Sequence, residues 1–245
     1  MTAPASTRLR SRSAVATLAL GLQRIADGLP ATDQVDPLVE DALRRAVPAL
    51  AEASREALGE HLRALSDAQL RGLASNVKGV FHELLVAQAE NVDGDAMTAA
   101  LFDALNHPGA DLQYVVDGDV VRLEQIKAVA SPSDVLEHIA RYPDISVAVT
   151  DEVAAKLAGT SGVRASGHAN ADLEAAVTTG FDALRDPARL EDMAEAAPLV
   201  AAATAVGAHL SGKRTDPRRL RESLEDAAVG GVAATVFAAL LDTIA

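Results

Sequence analysis

The sequence predicts an α/β protein in which a small mixed sheet core is flanked by N- and C-terminal helical segments. Two observations predict this class. Apolar residues recur at steps of three and four, the spacing of a helix, in the first 75 residues and again from residue 170 onward. Between these regions, runs rich in β-branched residues alternate with turn and helix signals. The order favours helical regions at 1–75 and 166–245 and an α/β core at 76–165.

The N-terminal region has helix-start signals at two positions. At Asp36 and Pro37, a capping acid precedes a proline at the first helical position. Ser66 and Gln69 form a capping-box pattern, which opens another helix. Helical spacing then continues to about residue 90, and we expect a further short helix over residues 96–105.

The core region opens with turn chemistry at residues 107–109. Asp117 and Gly118 then form the strongest short hairpin signal in the chain, so strands are expected on both sides, over 110–116 and 119–130. The elements expected to follow are a helix over 131–141, a strand over 145–149, a helix over 151–157 that Thr150 caps, a loop over 159–167 and helices from residue 170 onward.

The composition excludes several classes of site. The chain of 245 residues has no Cys, which rules out disulfides, thiolate zinc sites, iron–sulfur clusters and a cysteine nucleophile. Aromatic residues make up 2% of the chain, too few for a protein that reads single strands by base stacking. The net charge is −13, and residues 76–165 hold 14 acidic and 6 basic residues. Acid concentrated in this way indicates either a cation site or a solvated acidic surface.

No segment of the sequence predicts secretion or a membrane span. A basic start precedes a short apolar run at residues 14–22, but Gln23 and Arg24 follow where a small-residue cleavage site would belong. The apolar stretch at 227–241 is shorter than the roughly 20 residues that a bilayer requires. We therefore expect a cytoplasmic protein without a membrane span.

Four polar residues of the core region can meet in one site. Gln125 and Lys127 share one face of a strand because side chains alternate along it, and Asp111 on the preceding hairpin arm can lie beside Gln125. Glu83, on the helix before the strands, can provide a second carboxylate. Oxygen ligands suit a hard cation such as Mg²⁺. A lysine ammonium beside the cation can orient a water or steady a developing phosphate charge.

These residues lie in a stretch, 79–157, that resembles the core of the PD-(D/E)xK, or restriction-endonuclease-like, superfamily. A helix over 134–141 and a strand over 145–149 follow in the order that this family uses. The Gln-x-Lys pattern is most similar to the Mrr-like and Holliday-junction-resolvase-like branch. The matching motifs are Gly79-Val80-Phe81-His82-Glu83 on a helix, Asp111 after His107-Pro108-Gly109-Ala110, and Gln125-Ile126-Lys127 on the next strand.

The resemblance implies a fold of restriction-endonuclease-like type and a metal-dependent nuclease that hydrolyses nucleic-acid phosphodiester bonds, with DNA as the expected partner. It implies Asp111 and Glu83 as ligands of Mg²⁺ or Mn²⁺. It also implies Gln125 as a neutral ligand through its side-chain oxygen and Lys127 as the catalytic cation that positions the attacking water.

Two features depart from the family pattern. Gln125 replaces the commoner acid, which removes one negative charge from the metal site, and the core has few basic residues to hold a polyanion. The four residues also have structural interpretations, with Glu83 as an exposed helix residue, Asp111 as a turn cap and the other two as solvent-facing strand residues. Against the last interpretation, the preceding residues on the face of Lys127 are apolar, so the polar groups continue an apolar surface.

Two other functions are compatible with the sequence. One is a catalytically degenerate nuclease fold that serves as an interaction or oligomerisation module. The other is a membrane-active or toxin-like helical protein that acts through residues 197–210 and 227–241. Gly230 and Gly231 favour close helix packing, so we expect a homo-oligomer formed through the small-residue C-terminal helices. A basic cluster that can bind nucleic acid consists of Lys213, Arg214, Arg218, Arg219 and Arg221.

Overall fold

A computed structural model describes residues 37–102 and 107–184 of the chain, together with seven positions between 18 and 28. All of these lie within the first of the two units into which the chain divides, Met1–Leu184. The predictions for residues beyond 184 therefore fall outside the described residues: the small-residue helices, Gly230 and Gly231, and the basic cluster at Lys213, Arg214, Arg218, Arg219 and Arg221.

The described elements begin with helices, continue with three strands and then alternate between helices and strands. In chain order they are α1 (Pro37–Ala46), a 3-10 turn (Pro48–Leu50), α2 (Arg55–Ala64), α3 (Asp67–Asn91), β1 (Thr98–Leu101), β2 (Leu112–Val116), β3 (Asp119–Lys127), α4 (Ser133–Arg141), β4 (Ser146–Val149), α5 (Asp151–Lys156), β5 (Val163–Ala165) and α6 (Asn170–Ala183).

The five strands form one mixed sheet in the order β1-β2-β3-β4-β5. The first three strands pair antiparallel, and β3, β4 and β5 pair parallel. Each parallel pair is connected through a helix, α4 or α5, as a parallel crossover requires. The prediction of an α/β fold with a small mixed sheet is confirmed at this level.

The hairpin between β2 and β3 forms at the predicted dipeptide. Asp117 and Gly118 have φ values of 54° and 89°, so both adopt the positive φ that a type I′ turn requires. Tyr114 pairs with Arg122 but Val115 pairs with Val120, which leaves one extra residue in β3 as a bulge.

Two of the expected elements are wrong. The helix expected over residues 96–105 is wrong, because Thr98–Leu101 pair with β2 as strand β1. The expected loop over 159–167 contains β5, which pairs parallel with β4. Both segments are short and rich in small residues, so their local propensity is weak and the neighbouring strand decides the conformation.

Helix α3 belongs to two hydrophobic cores. From Leu70 to Leu84 it packs with α1, α2 and α6, through side chains that include Val77 and Phe81. Near its end, Val86 and Ala87 pack on the sheet face that carries Leu112, Tyr114, Ile126 and Ala148. The opposite sheet face is covered at β4 by Val135 of α4 and Val153 of α5. One continuous helix of 25 residues thus connects the helical region to the sheet.

Gly109 lies in the turn before β2, and replacing it with alanine is expected to destabilise the protein strongly. Its φ is +80°, and an added Cβ would lie 2.8 Å from Cδ1 of Tyr142. Left-handed strain and overpacking together predict a loss of about 2–4 kcal/mol in the free energy of unfolding, measured by urea denaturation. The matched control is Gly94→Ala, where φ is +94° but no atom lies within 4 Å. An equal loss in both variants would show that contact with Tyr142 is unimportant.

Within the described parts of the chain, none of the helices has the length together with the hydropathy that a membrane crossing requires.

Candidate functional site

Asp111 lies immediately before β2 and is fixed by the neighbouring strand. Its backbone N–H donates to Glu124 O over 2.9 Å, which extends the β2–β3 pairing by one position. Its carboxylate Oδ2 accepts the backbone N–H of Ile126 over 2.8 Å and also accepts Nε2 of Gln125. The side chain is therefore held on the sheet face of Gln125, as the strand alternation predicts.

Glu83 of α3 meets Asp111 at this end of the sheet. Burial, and then the negative charge of Asp111, raise the pKa of Glu83 to about 8. Burial also raises the pKa of Asp111, although the Ile126 N–H, the Lys127 charge and Gln125 oppose that change. Two carboxyl groups that resist ionisation thus lie together without a neutralising ion pair between described residues.

The structure brings the four predicted site residues into one neighbourhood around Asp111. Gln125 donates to its carboxylate, Lys127 acts on it electrostatically, and the negative charge of Asp111 raises the pKa of Glu83. One detail differs from the expectation, since Gln125 presents its amide nitrogen to Asp111. The amide can present its oxygen to a cation after rotation about its last side-chain torsion.

Arg45, which the sequence did not single out, also belongs to this neighbourhood. It lies in the last turn of α1, and its positive charge opposes the rise in the pKa of Glu83. Its Nη1 donates to the carbonyl of Phe102 over 3.0 Å. The bond between Arg45 and Phe102 could not be predicted from the sequence, because the two residues are 57 positions apart.

His107 and Phe102 flank the site as a stacked pair. Their ring centroids lie 3.7 Å apart with an interplanar angle of 4°. His107 is one of the groups that oppose the rise in the pKa of Asp111. The stacking on Phe102 therefore holds the His107 ring near Asp111.

His138 of helix α4 and Tyr142, the residue that follows this helix, border Lys127 and the turn before Asp111. His138 is buried, and burial followed by the Lys127 charge lowers its pKa, so the imidazole is neutral near pH 7. Its Nε2 has no hydrogen-bond partner among the described residues. The ring of Tyr142 lies 5.1 Å from that of His138 and also packs against Gly109.

A second group of carboxylates lies away from this site, at the end of α3. Glu90, Asp93 and Asp95 have oxygen atoms within 4.8 Å of one another. Asp93 accepts the backbone N–H of Asp95 over 3.1 Å, and Asp95 accepts that of Met97 over 2.7 Å. These two exposed carboxylates thus stabilise the turn between α3 and β1, which is a structural role.

On the opposite sheet face, Glu124 anchors a buried polar network. Its side chain is fully buried and accepts hydrogen bonds from Tyr114, Arg164 and Ser146. Burial, and then the hydrogen bond to Glu124, raise the pKa of Tyr114 to about 12. Because Glu124 precedes Gln125, this network fixes the strand segment that carries Gln125 and Lys127.

The raised pKa of Glu83 predicts a pH dependence of stability in metal-free buffer. The unfolded chain releases this proton near the ordinary pKa of 4.5, whereas the folded protein keeps it to about 8. The unfolded state therefore binds fewer protons between these values, and stability falls as the pH rises across that window. Glu83→Gln should remove this loss, so urea midpoints of wild type and variant should diverge between pH 4.5 and about 8.

The control is Glu137→Gln, at an exposed position of α4. A constant difference between wild type and Glu83→Gln at every pH would contradict the assignment of a repelled, partly buried carboxyl group.

Comparisons of the chain with family models, with curated proteins and with solved structures give no match.

Proposed function

We propose that this chain is a metal-dependent nuclease of PD-(D/E)xK type that hydrolyses nucleic-acid phosphodiester bonds. The observation that carries the proposal is the convergence of Glu83 and Asp111, with Lys127 beside them, from segments far apart in the sequence. Carboxylates with a neighbouring ammonium are the groups that phosphodiester hydrolysis by a divalent cation needs. The order of the elements around them, a helix, three antiparallel strands, a helix and a parallel strand, agrees with the proposed fold type.

The residues present fit a divalent cation such as Mg²⁺ or Mn²⁺. Burial disfavours the charged forms of Glu83 and Asp111, and the Asp111 charge further disfavours ionisation of Glu83, so a cation would relieve both. Only Oδ2 of Asp111 is used by its neighbours in the described structure, which leaves Oδ1 as a ligand. Glu83 and the oxygen of Gln125 would complete the protein ligands, in keeping with the oxygen preference of Mg²⁺.

The chain's own residues then have separable tasks in the hydrolysis. A bound cation would activate the attacking water and offset charge on the scissile phosphate. Lys127 stabilises the negative charge that builds on the phosphate oxygens as water attacks phosphorus and the ester bond breaks. Gln125 and the Ile126 N–H hold the Asp111 carboxylate in one orientation. His138 is neutral near Lys127 and so adds no competing charge.

The test is cleavage of labelled DNA and RNA by the full chain with Mg²⁺ or Mn²⁺, compared with excess EDTA. Lys127→Met is expected to slow cleavage by about 10²- to 10³-fold, the effect typical of removing one group that stabilises transition-state charge. Lys156→Met is the matched control, since Lys156 is exposed on α5 and its Nζ donates to Ala130 O over 3.2 Å. Full activity of Lys127→Met, or cleavage that persists in EDTA, would contradict the proposed chemistry.

A degenerate nuclease fold that serves as an interaction module is the second candidate. The observation that favours it is the amide nitrogen of Gln125, which satisfies Asp111 where the family pattern has an acid. Calorimetry with Mn²⁺ separates the two candidates. Binding that Asp111→Asn removes supports the nuclease, whereas a wild type that binds no Mn²⁺ supports the module.

A further inference from the structure

The sheet core contributes few cations that could hold a polyanion near Glu83 and Asp111. Residues 76–165 contain six basic residues, and one of them, Lys127, belongs to the site itself. The other five make contacts elsewhere: Lys78 with Asn170, Arg122 over the ring of Tyr114, Arg141 over that of Tyr142, Lys156 with Ala130 and Arg164 with Glu124. A nuclease site in this core therefore needs a cation from another part of the chain.

Arg45 meets this need from helix α1, outside the sheet core. Phe102 connects it to the site, because the carbonyl of Phe102 accepts Arg45 Nη1 over 3.0 Å and its backbone N–H donates to Asp111 O over 3.3 Å. Arg45 and Glu83 form no ion pair within 4.0 Å. The described residues supply no acceptor for the other donors of the Arg45 guanidinium. The bond to Phe102 restricts the orientation of the group, and the planar guanidinium fork matches the geometry of a phosphate.

We infer that Arg45 binds a backbone phosphate of the nucleic acid beside the scissile bond, so that helix α1 forms part of the substrate surface. This inference rests on the proposed function. The neighbouring Arg44 shows the contrasting case, because its guanidinium is used in a hydrogen bond to Glu40 over 3.0 Å and in bonds to Ala53 O. Two adjacent arginines of one helix thus have different roles, one structural and one directed to the site.

The test measures binding of a short fluorescently labelled DNA duplex to the full chain in EDTA, where no cleavage occurs. Loss of one phosphate contact lowers the slope of log K against log salt by about one. Arg45→Gln is expected to show that change with a weaker affinity, and Arg71→Gln, at an exposed position of α3, is the control for net charge. Arg45→Lys keeps the charge without the fork and should recover part of the affinity.

A second measurement distinguishes phosphate binding from a purely structural role. Removing the positive charge of Arg45 should tighten Mn²⁺ binding in calorimetry without nucleic acid, because a guanidinium near the proposed ligands repels the cation. Arg45→Gln should therefore bind the duplex more weakly and Mn²⁺ more tightly. A locally unfolded variant would lose both affinities, and that result would overturn the inference.

The outcomes separate this inference from the proposed function. A wild type that cuts DNA, with an Arg45→Gln variant whose duplex affinity and salt slope are unchanged, overturns the inference and leaves the nuclease proposal standing. A wild type that neither binds the duplex nor cuts nucleic acid with Mg²⁺ overturns both. Opposite shifts in the two affinities of Arg45→Gln support the inference.

Discussion

Replacing Asp111 with asparagine is expected to abolish nucleic-acid cleavage and, at the same time, to make the metal-free protein more stable. The carboxylate is the shared neighbour of Glu83, Gln125 and Lys127, so its loss removes the charge that would hold the cation. Metal stabilisation of the transition state is worth several kcal/mol, which corresponds to a loss of about a thousandfold or more in rate. The amide oxygen of asparagine can still accept the Ile126 N–H.

The gain in stability has an electrostatic cause. Burial penalises the charge of Asp111 in the folded state, and that charge in turn disfavours ionisation of Glu83. Neutralising Asp111 should therefore raise the free energy of unfolding in EDTA. Residues kept at such a cost are typical of functional sites.

The measurements are single-turnover cleavage and urea denaturation in EDTA and in Mg²⁺. Mg²⁺ should stabilise wild type but not Asp111→Asn, because a ligand stabilises only the state that binds it. The control is Asp119→Asn, at an exposed position of β3, which should change neither property. A cleaving Asp111→Asn variant, or one that is less stable than wild type in EDTA, would contradict this account of the site.

Replacing Arg164 with methionine is expected to cause the largest loss of stability among the polar substitutions considered. Arg164 donates to both carboxylate oxygens of Glu124, whose side chain is fully buried. Removing one partner of a buried pair leaves a buried charge and costs about 3–5 kcal/mol. The Arg164 side chain is 38% exposed, so water can solvate part of the gap, and we expect about 2–4 kcal/mol.

A double variant distinguishes the unpaired charge from lost packing. Glu124→Gln combined with Arg164→Met removes the charge that the single change exposes, so the double variant should be more stable than Arg164→Met alone. Tyr114 and Ser146 can still bond to the glutamine. A double variant that is even less stable would show that the arginine stabilises β5 by packing instead.

Loss of the ion pair between Glu124 and Arg164 should also change the geometry of the candidate site. Glu124 pairs with Ser146 in β4 and lies next to Gln125 in β3, so movement of Glu124 changes the orientation of the strand that carries Gln125 and Lys127. Any cleavage activity should therefore fall in Arg164→Met, and the double variant should recover part of it.

Elements with strong local signals could be predicted from the sequence. Asp117 and Gly118 adopt positive φ with little help from the rest of the fold, and the Ser66–Gln69 capping box forms within one helical turn. Strand β1 could not be predicted in this way, because its short, small-residue segment becomes a strand only through its pairing with β2.

Part of the candidate site could likewise be predicted from the sequence, and part could not. Strand alternation and the hairpin determined that Asp111, Gln125 and Lys127 share a face, since both depend on neighbouring residues alone. The approach of Glu83, the electrostatic contribution of Arg45 and the pairing of Arg164 with Glu124 were decided only by the tertiary structure. Burial and Coulombic interactions depend on distances between segments that are remote in the chain, and no local pattern of residues encodes those distances.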